Sequence, residues 1–123
     1  LDYQFKNTPL IISSPTPNFW RPPTDNDLGN GMHEWAAVWK NAGQAANTKM
    51  SKPIFKNKKE INFQVKYELP DTLKASVLVN YSIFGNGEIL VEYAFNPQRN
   101  DLPKIPRVGM QMQIPADFQF IKW

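Results

Sequence analysis

The chain has 123 residues, 41% of them hydrophobic and 20% charged, with a net charge of +3 and no cysteine. This is an ordinary globular composition, and a domain of this length can bury roughly two-thirds of its unfolded surface. The lack of cysteine excludes disulfides, thiolate metal sites and a cysteine nucleophile, and no apolar run reaches the roughly 20 residues of a membrane-spanning helix.

In chain order, residues 1–6 and 9–14 read as two short strands about a turn at Asn7-Thr8-Pro9. Pro15 and Pro17 should then break regular structure, since each lacks a backbone donor. Residues 19–23, FWRPP, must be extended. Residues 24–31, TDNDLGNG, read as a loop in which Asp and Asn bond their own backbone and Gly29 and Gly31 permit positive φ. From Met32 the period becomes helical. Trp35, Val38, Trp39 and Ala42 share one face, Asn30 is a candidate N-cap and Gly43 a candidate stop. One short helix near residues 32–42 is expected.

The rest reads as strand. Residues 48–56 form a strand interrupted at Pro53. Residues 60–69 place Ile61, Phe63, Val65 and Tyr67 on one face. Residues 73–84 follow with Ala75, Val77, Val79, Tyr81 and Ile83. Gly85-Asn86-Gly87 signals a hairpin, and residues 88–96 return with Ile89, Val91, Tyr93 and Phe95. Residues 97–106 are loop, Val108, Met110, Met112 and Ile114 alternate again, and residues 118–123 begin one more strand. The fold class is all-β, an antiparallel β-sandwich with one short helix in a long early loop. The chain starts and ends in strand-like sequence, so it is read as a single truncated domain, 1–123, of a longer polypeptide.

Chemistry concentrates between Pro17 and Gly43. Asp25-Asn26-Asp27 offers oxygen ligands, but the EF-hand template wants a sixth-position Gly and a twelfth-position Glu, and finds Asn30 and Ala36. A glycosidase acid pair faces its partner across the substrate, whereas Asp25 and Asp27 are neighbours on one loop. His33 is the lone histidine, so His-based metal clusters and Ser-His-Asp catalysis have little to build on. Trp20 could stack on a sugar or simply pack. Arg21 could anchor the loop to Asp25 or Asp27 or form a polar wall. Trp35 and Trp39, at helical spacing, read as core. Lys49, Lys52, Lys56, Lys58 and Lys59 flank a proline and a turn, which reads as a solvated face; no nucleic-acid or membrane partner is expected.

The stretch PNFWRPPTDNDLGN resembles the signature of the β-galactosidase small-chain domain, the C-terminal domain of large β-galactosidases of glycoside hydrolase family 2. Trp39-Lys40, Ala42-Gly43, Gly87-Glu88-Ile89 and LPKIPRVGMQMQIPADFQFIKW match in order. Pro22 departs from the family's usual Ala. The resemblance implies a supersandwich of the galactose-mutarotase-like class, comprising here the N-terminal half of that domain. It implies a parent that hydrolyses terminal β-D-galactosides with retention, its catalytic glutamates on a separate barrel upstream. It assigns this segment no catalytic residue, no metal and no cofactor, any divalent or monovalent cation of the parent lying elsewhere. Its partners would be the rest of the polypeptide and the galactoside, in an oligomeric parent. Trp20, Arg21, Asp25, Asn26, Asp27, Gly29 and His33 are the candidates for the active-site mouth, with Gly29 matching the family's hinge position. Two alternatives stand beside this reading: an autonomous carbohydrate-binding module, and a structural or subunit-contact domain. Localisation, cytoplasmic or periplasmic, is open.

Overall fold

Two-period alternation of apolar residues from Glu60 to Pro97 builds the centre of the fold. A computed structural model describes residues 3–122. It contains β1 (Gln4–Phe5), β2 (Thr8–Pro9), β3 (Ser13–Asn18), α1 (Asp25–Gly29), α2 (Met32–Trp35), a 3-10 turn (Ala37–Trp39), β4 (Asn47–Met50), β5 (Ile54–Asn57), β6 (Glu60–Glu68), β7 (Ala75–Phe84), β8 (Ile89–Pro97) and β9 (Gly109–Gln113). β6, β7 and β8 form an antiparallel meander. β4 and β5 both pair β6 on its other side, one after the other, so they act as one edge strand broken around Pro53. β3 and β9 make a separate antiparallel pair.

The register aligns the apolar residues in rows across the sheet, because directly opposed residues share a face. Tyr67, Val77 and Phe95 form one row with Thr48; Val65, Val79 and Tyr93 form the next with Met50. Phe63, Tyr81 and Val91 follow, the first two rings stacked at 4.9 Å. Phe55, Ile61, Ile83 and Ile89 make the last row. Every residue of the expected core face of β6, β7 and β8 therefore lies on one side of the sheet.

That side is covered at the end holding Tyr67 and Val77. The Tyr67 hydroxyl donates to the Pro15 carbonyl at 2.9 Å, tying β3 to the sheet. Phe19 and Trp39 are buried; with Phe95 they form a mutually tilted aromatic trio, centroids 5.4–6.1 Å apart. Each such pair is worth roughly 0.5–1.5 kcal/mol beyond its buried area. The Trp39 indole donates to the Pro103 carbonyl at 3.3 Å, fastening the 97–106 loop over the same core.

Several local expectations are corrected. The run Ser13–Asn18 is a strand despite its two prolines. It lies at the end of a two-stranded pair, with a register shift between Ser13 and Thr16, and edge positions and bulges are where a strand tolerates a missing donor. The early hairpin is shorter than expected, turning through Lys6 and Asn7, both at positive φ, the geometry of a two-residue primed turn. Residues 118–122 form no strand, and Trp123, with Leu1 and Asp2, lies outside the described residues. The single helix is instead α1, α2 and a 3-10 turn. Residues 25–29, read as loop, are helical, because Thr24 and Asp27 form a complete capping box. Asn30 is the C-cap of α1, and Gly31 rather than Asn30 precedes α2.

Candidate functional site

The segment from Trp20 to Trp39 is organised by Asp27. Its carboxylate accepts from Arg21 Nη1 at 2.5 Å and Nη2 at 2.9 Å, and from the Thr24 amide and hydroxyl at 2.8 and 2.9 Å. The Asp27 amide in turn donates to the Thr24 hydroxyl. The fork of the guanidinium matches the carboxylate, which makes this a directional clamp as well as a charge pair. Arg21 first, then the two Thr24 donors, hold the Asp27 carboxyl far below the usual carboxylate range, while the same pairing raises Arg21. The proline-rich approach and the first helical turn are thus locked to each other. Arg21 pairs with Asp27; no Arg21–Asp25 ion pair forms among the described residues.

The other polar candidates point outward. Asp25 and Asn26 sit exposed on α1, and His33 is exposed on α2 with its Nε2 3.6 Å from Glu34 Oε1. Trp20 is half-buried and packs against the core cluster. Gly29 ends α1 without positive φ, and a Cβ there would meet nothing within 4 Å. Gly31, at φ 74°, is the residue that uses the left-handed conformation. The two glycines differ: open space surrounds Gly29, whereas a side chain at Gly31 would strain the backbone.

The apolar face of this segment differs from the expected one. Trp39 and Ala42 are buried, but Met32 and Ala36 join them, while Trp35 is 38% exposed and Val38 faces solvent. The buried face is set by Met32, Ala36 and Trp39, at i, i+4 and i+7, so it is rotated from the expected one and leaves Trp35 and Val38 on its flank. The Trp35 indole instead donates to Asn30, to its side-chain oxygen at 2.8 Å and its carbonyl at 3.2 Å. It closes the turn between the two helices rather than filling the core. Thr24 and Asn30 build the site: Thr24 caps α1, and Asn30, a candidate N-cap in the sequence, is instead the acceptor of the Trp35 indole. For Thr24 the signal was present, a Thr three residues before an acidic residue; for Asn30 there was none, because its partner is reached only after the turn folds.

Gly43 is needed for space. It is not a helix stop, since winding has already left the α form at Ala37. An added Cβ would lie 1.8 Å from the Pro17 carbonyl oxygen and 2.7 Å from its carbon. The return from the helical segment therefore runs directly against buried Pro17 of β3, fixing the far end of the Asp27-organised segment. No group of three or more His, Cys, Asp or Glu suited to a metal ion occurs among the described residues.

Comparison with known proteins adds the family. The model of the β-galactosidase small chain matches residues 1–123. A β-galactosidase of Priestia megaterium is 32% identical over all of this chain, which covers 12% of that protein. A β-galactosidase of Lactobacillus delbrueckii subsp. bulgaricus is 36% identical over 80% of the chain and 10% of that protein. A β-galactosidase small subunit of Latilactobacillus sakei is 27% identical over 86% of the chain, which covers 39% of that subunit. The chain thus spans about an eighth of the length of the long relatives it matches. An end-to-end match on a β-rich structure with this Trp20–Gly43 segment places the chain in the β-galactosidase small-chain family.

Proposed function

We propose that the chain is a non-catalytic domain of a β-galactosidase of glycoside hydrolase family 2, in which the parent polypeptide hydrolyses terminal β-D-galactosides with retention and residues 24–35 form part of the wall of its active-site mouth. The observation that carries the reading is the match of the whole chain to the small-chain family. The chemistry agrees with a supporting role. Retention needs two facing carboxyl groups about 5–5.5 Å apart, and the Asp27 carboxylate is already committed to Arg21 and Thr24. Asp25, Asn26 and His33, exposed on the outer side of a rigidly clamped segment, are the groups left to meet a sugar hydroxyl. Trp20, packed on the core, serves as the base of that wall, and Gly29, with open space around it, as its point of adjustment.

The test is steady-state kinetics of the full-length parent on a β-galactoside. Losing a charged hydrogen bond to substrate lowers kcat/KM about tenfold or more, so Asp25→Ala should do so. Gly29→Ala removes chain freedom without a clash and should alter KM by a few-fold if this turn adjusts to substrate. Wild-type kcat and KM in both variants would refute the mouth role.

A further inference from the structure

The five-stranded sheet has a second face, which neither the core nor the mouth uses. Side chains that alternate with the apolar rows point away from Phe19 and Trp39. On this side Asn62 lies opposite Ser82 and Ser82 opposite Leu90, while Gln64 lies opposite Asn80 and Asn80 opposite Glu92. Ile54 of β5 faces Asn62 from the other side. Beside the break in the edge strand around Pro53, these rows hold a groove of about 300 Å³, lined among others by Ile54, Asn62, Gln64, Asn80, Ser82 and Glu92. That volume is at the lower bound for small-molecule sites and suits a single sugar ring.

The polar groups of the groove are short, planar and already oriented, which lowers the entropy cost of binding. Gln64 Nε2 donates to Asn80 Oδ1 at 2.8 Å. Asn62 Nδ2 donates to the Glu60 carboxylate at 3.3 Å. A carboxylate only accepts, so this bond fixes the other end of the Asn62 amide as its oxygen. That oxygen is out of solvent and has no donor among the described residues. Ser82 adds a hydroxyl and Glu92 a carboxylate, and no lysine or arginine lines the groove. The set is therefore rich in acceptors and carries one charge. An anion is repelled by Glu92. A hard cation gains affinity from several carboxylates, and here it would find one. An apolar molecule would leave the amides unpaired. A neutral polyol brings hydroxyl donors to the acceptors, and Ile54 and Leu90, 67% and 52% exposed, offer apolar surface to its C–H face.

We propose that this groove is a non-catalytic saccharide site, which takes one ring of a galactoside through Asn62, Ser82 and Glu92. The choice of a galactoside rests on the match to the β-galactosidase small chain. The site lies across the sheet from the helical segment, so it can fail while the mouth reading succeeds, and the reverse.

Saturation-transfer NMR on the full-length parent tests it, with methyl 1-thio-β-D-galactoside as the probe, a thioglycoside that resists hydrolysis. The catalytic site is first filled with a stoichiometric amount of a tight-binding galactose-like iminosugar. A saturable signal from the probe should remain. Each lost hydrogen bond should weaken it, so Kd should rise about tenfold in Asn62→Leu and in Glu92→Ala, with kcat/KM at the wild-type value in both. Glu92 is exposed, so its truncation leaves folding intact and keeps the test valid if Asn62→Leu is unstable. Loss of the whole signal on filling the catalytic site overturns the proposal. So does a signal that does not saturate, or a wild-type Kd in Glu92→Ala.

Discussion

Gly43→Ala should unlock the segment that carries the candidate site. The added methyl would stand 1.8 Å from the Pro17 carbonyl oxygen, 2.7 Å from the carbonyl carbon and 3.3 Å from the Pro17 Cβ, where carbon contacts settle at about 3.5–4.0 Å. Both nearest atoms are backbone, so no rotamer change relieves the overlap. Pro17 cannot retreat freely either, because it is buried and paired with Met110 across β3 and β9. Overpacking typically costs about 1–3 kcal/mol, and an overlap with main chain belongs at the upper end, near 3. Hydrogen exchange on the full-length parent is the suitable assay, since it reads local opening within a large protein. Peptides covering residues 39–50 and 109–113 should exchange roughly a hundredfold faster, the factor that about 3 kcal/mol implies. Gly29→Ala is the control: nothing lies within 4 Å of its new Cβ, and its stability should stay within about 0.5 kcal/mol of wild type. Exchange in Gly43→Ala within threefold of wild type would refute the steric account.

Two further expectations follow from the same segment. Asp27, depressed by Arg21 and Thr24, contributes stability that is full above the unfolded carboxyl value of about 3.9 and is lost as pH falls from there through the folded value; the gap in urea midpoint between wild type and Asp27→Asn should therefore be largest near neutrality and begin to narrow below about pH 4, and a gap of the same size at about pH 7 and about pH 2 would contradict the clamp. Trp39→Ala, which empties a fully buried site, should cost about 3–5 kcal/mol, whereas Trp35→Ala, which loses the bonds to Asn30, should cost about 1 kcal/mol; exchange of residues 32–42 separates the two, and equal effects would contradict the different placement of the two indoles.

The strands were legible because their signal is local and redundant. In β6, β7 and β8 every second residue is apolar, and Gly85-Asn86-Gly87 marks the hairpin: Gly87 adopts φ 89° and the Phe84 amide donates to the Glu88 carbonyl. Pattern, turn chemistry and register all point to one arrangement. The helical segment was less legible because its two indoles compete for one face. A straight helix would place Trp35 beside Trp39; the structure gives Trp39 the core and turns Trp35 onto Asn30. Nothing in the spacing alone decides which indole is buried. In the sequence Gly43 stands as a candidate helix stop, the usual place for a glycine after a helix. Its actual constraint is Pro17, 26 positions earlier in the chain, and close approach between distant segments leaves no local trace.

The turn Asp25-Asn26-Asp27 shows how the candidate site and the fold share residues. Two acidic side chains two positions apart look equivalent in the sequence, yet α1 separates their roles. As the N3 residue after Thr24, Asp27 faces back toward the N-cap, where its two oxygens receive four donors from Arg21 and Thr24. Asp25, in the first turn, is exposed. A carboxylate with that many donors is costly to divert to a ligand, because every bond it makes to a sugar displaces one it already has. A carboxylate in water has no such obligation. The same capping geometry that makes residues 25–29 helical thus spends one acid on rigidity and leaves the other available. That division suits the wall proposed above, with the anchoring carboxylate saturated, the exposed one free, and Gly29 and Gly31 outside the clamp.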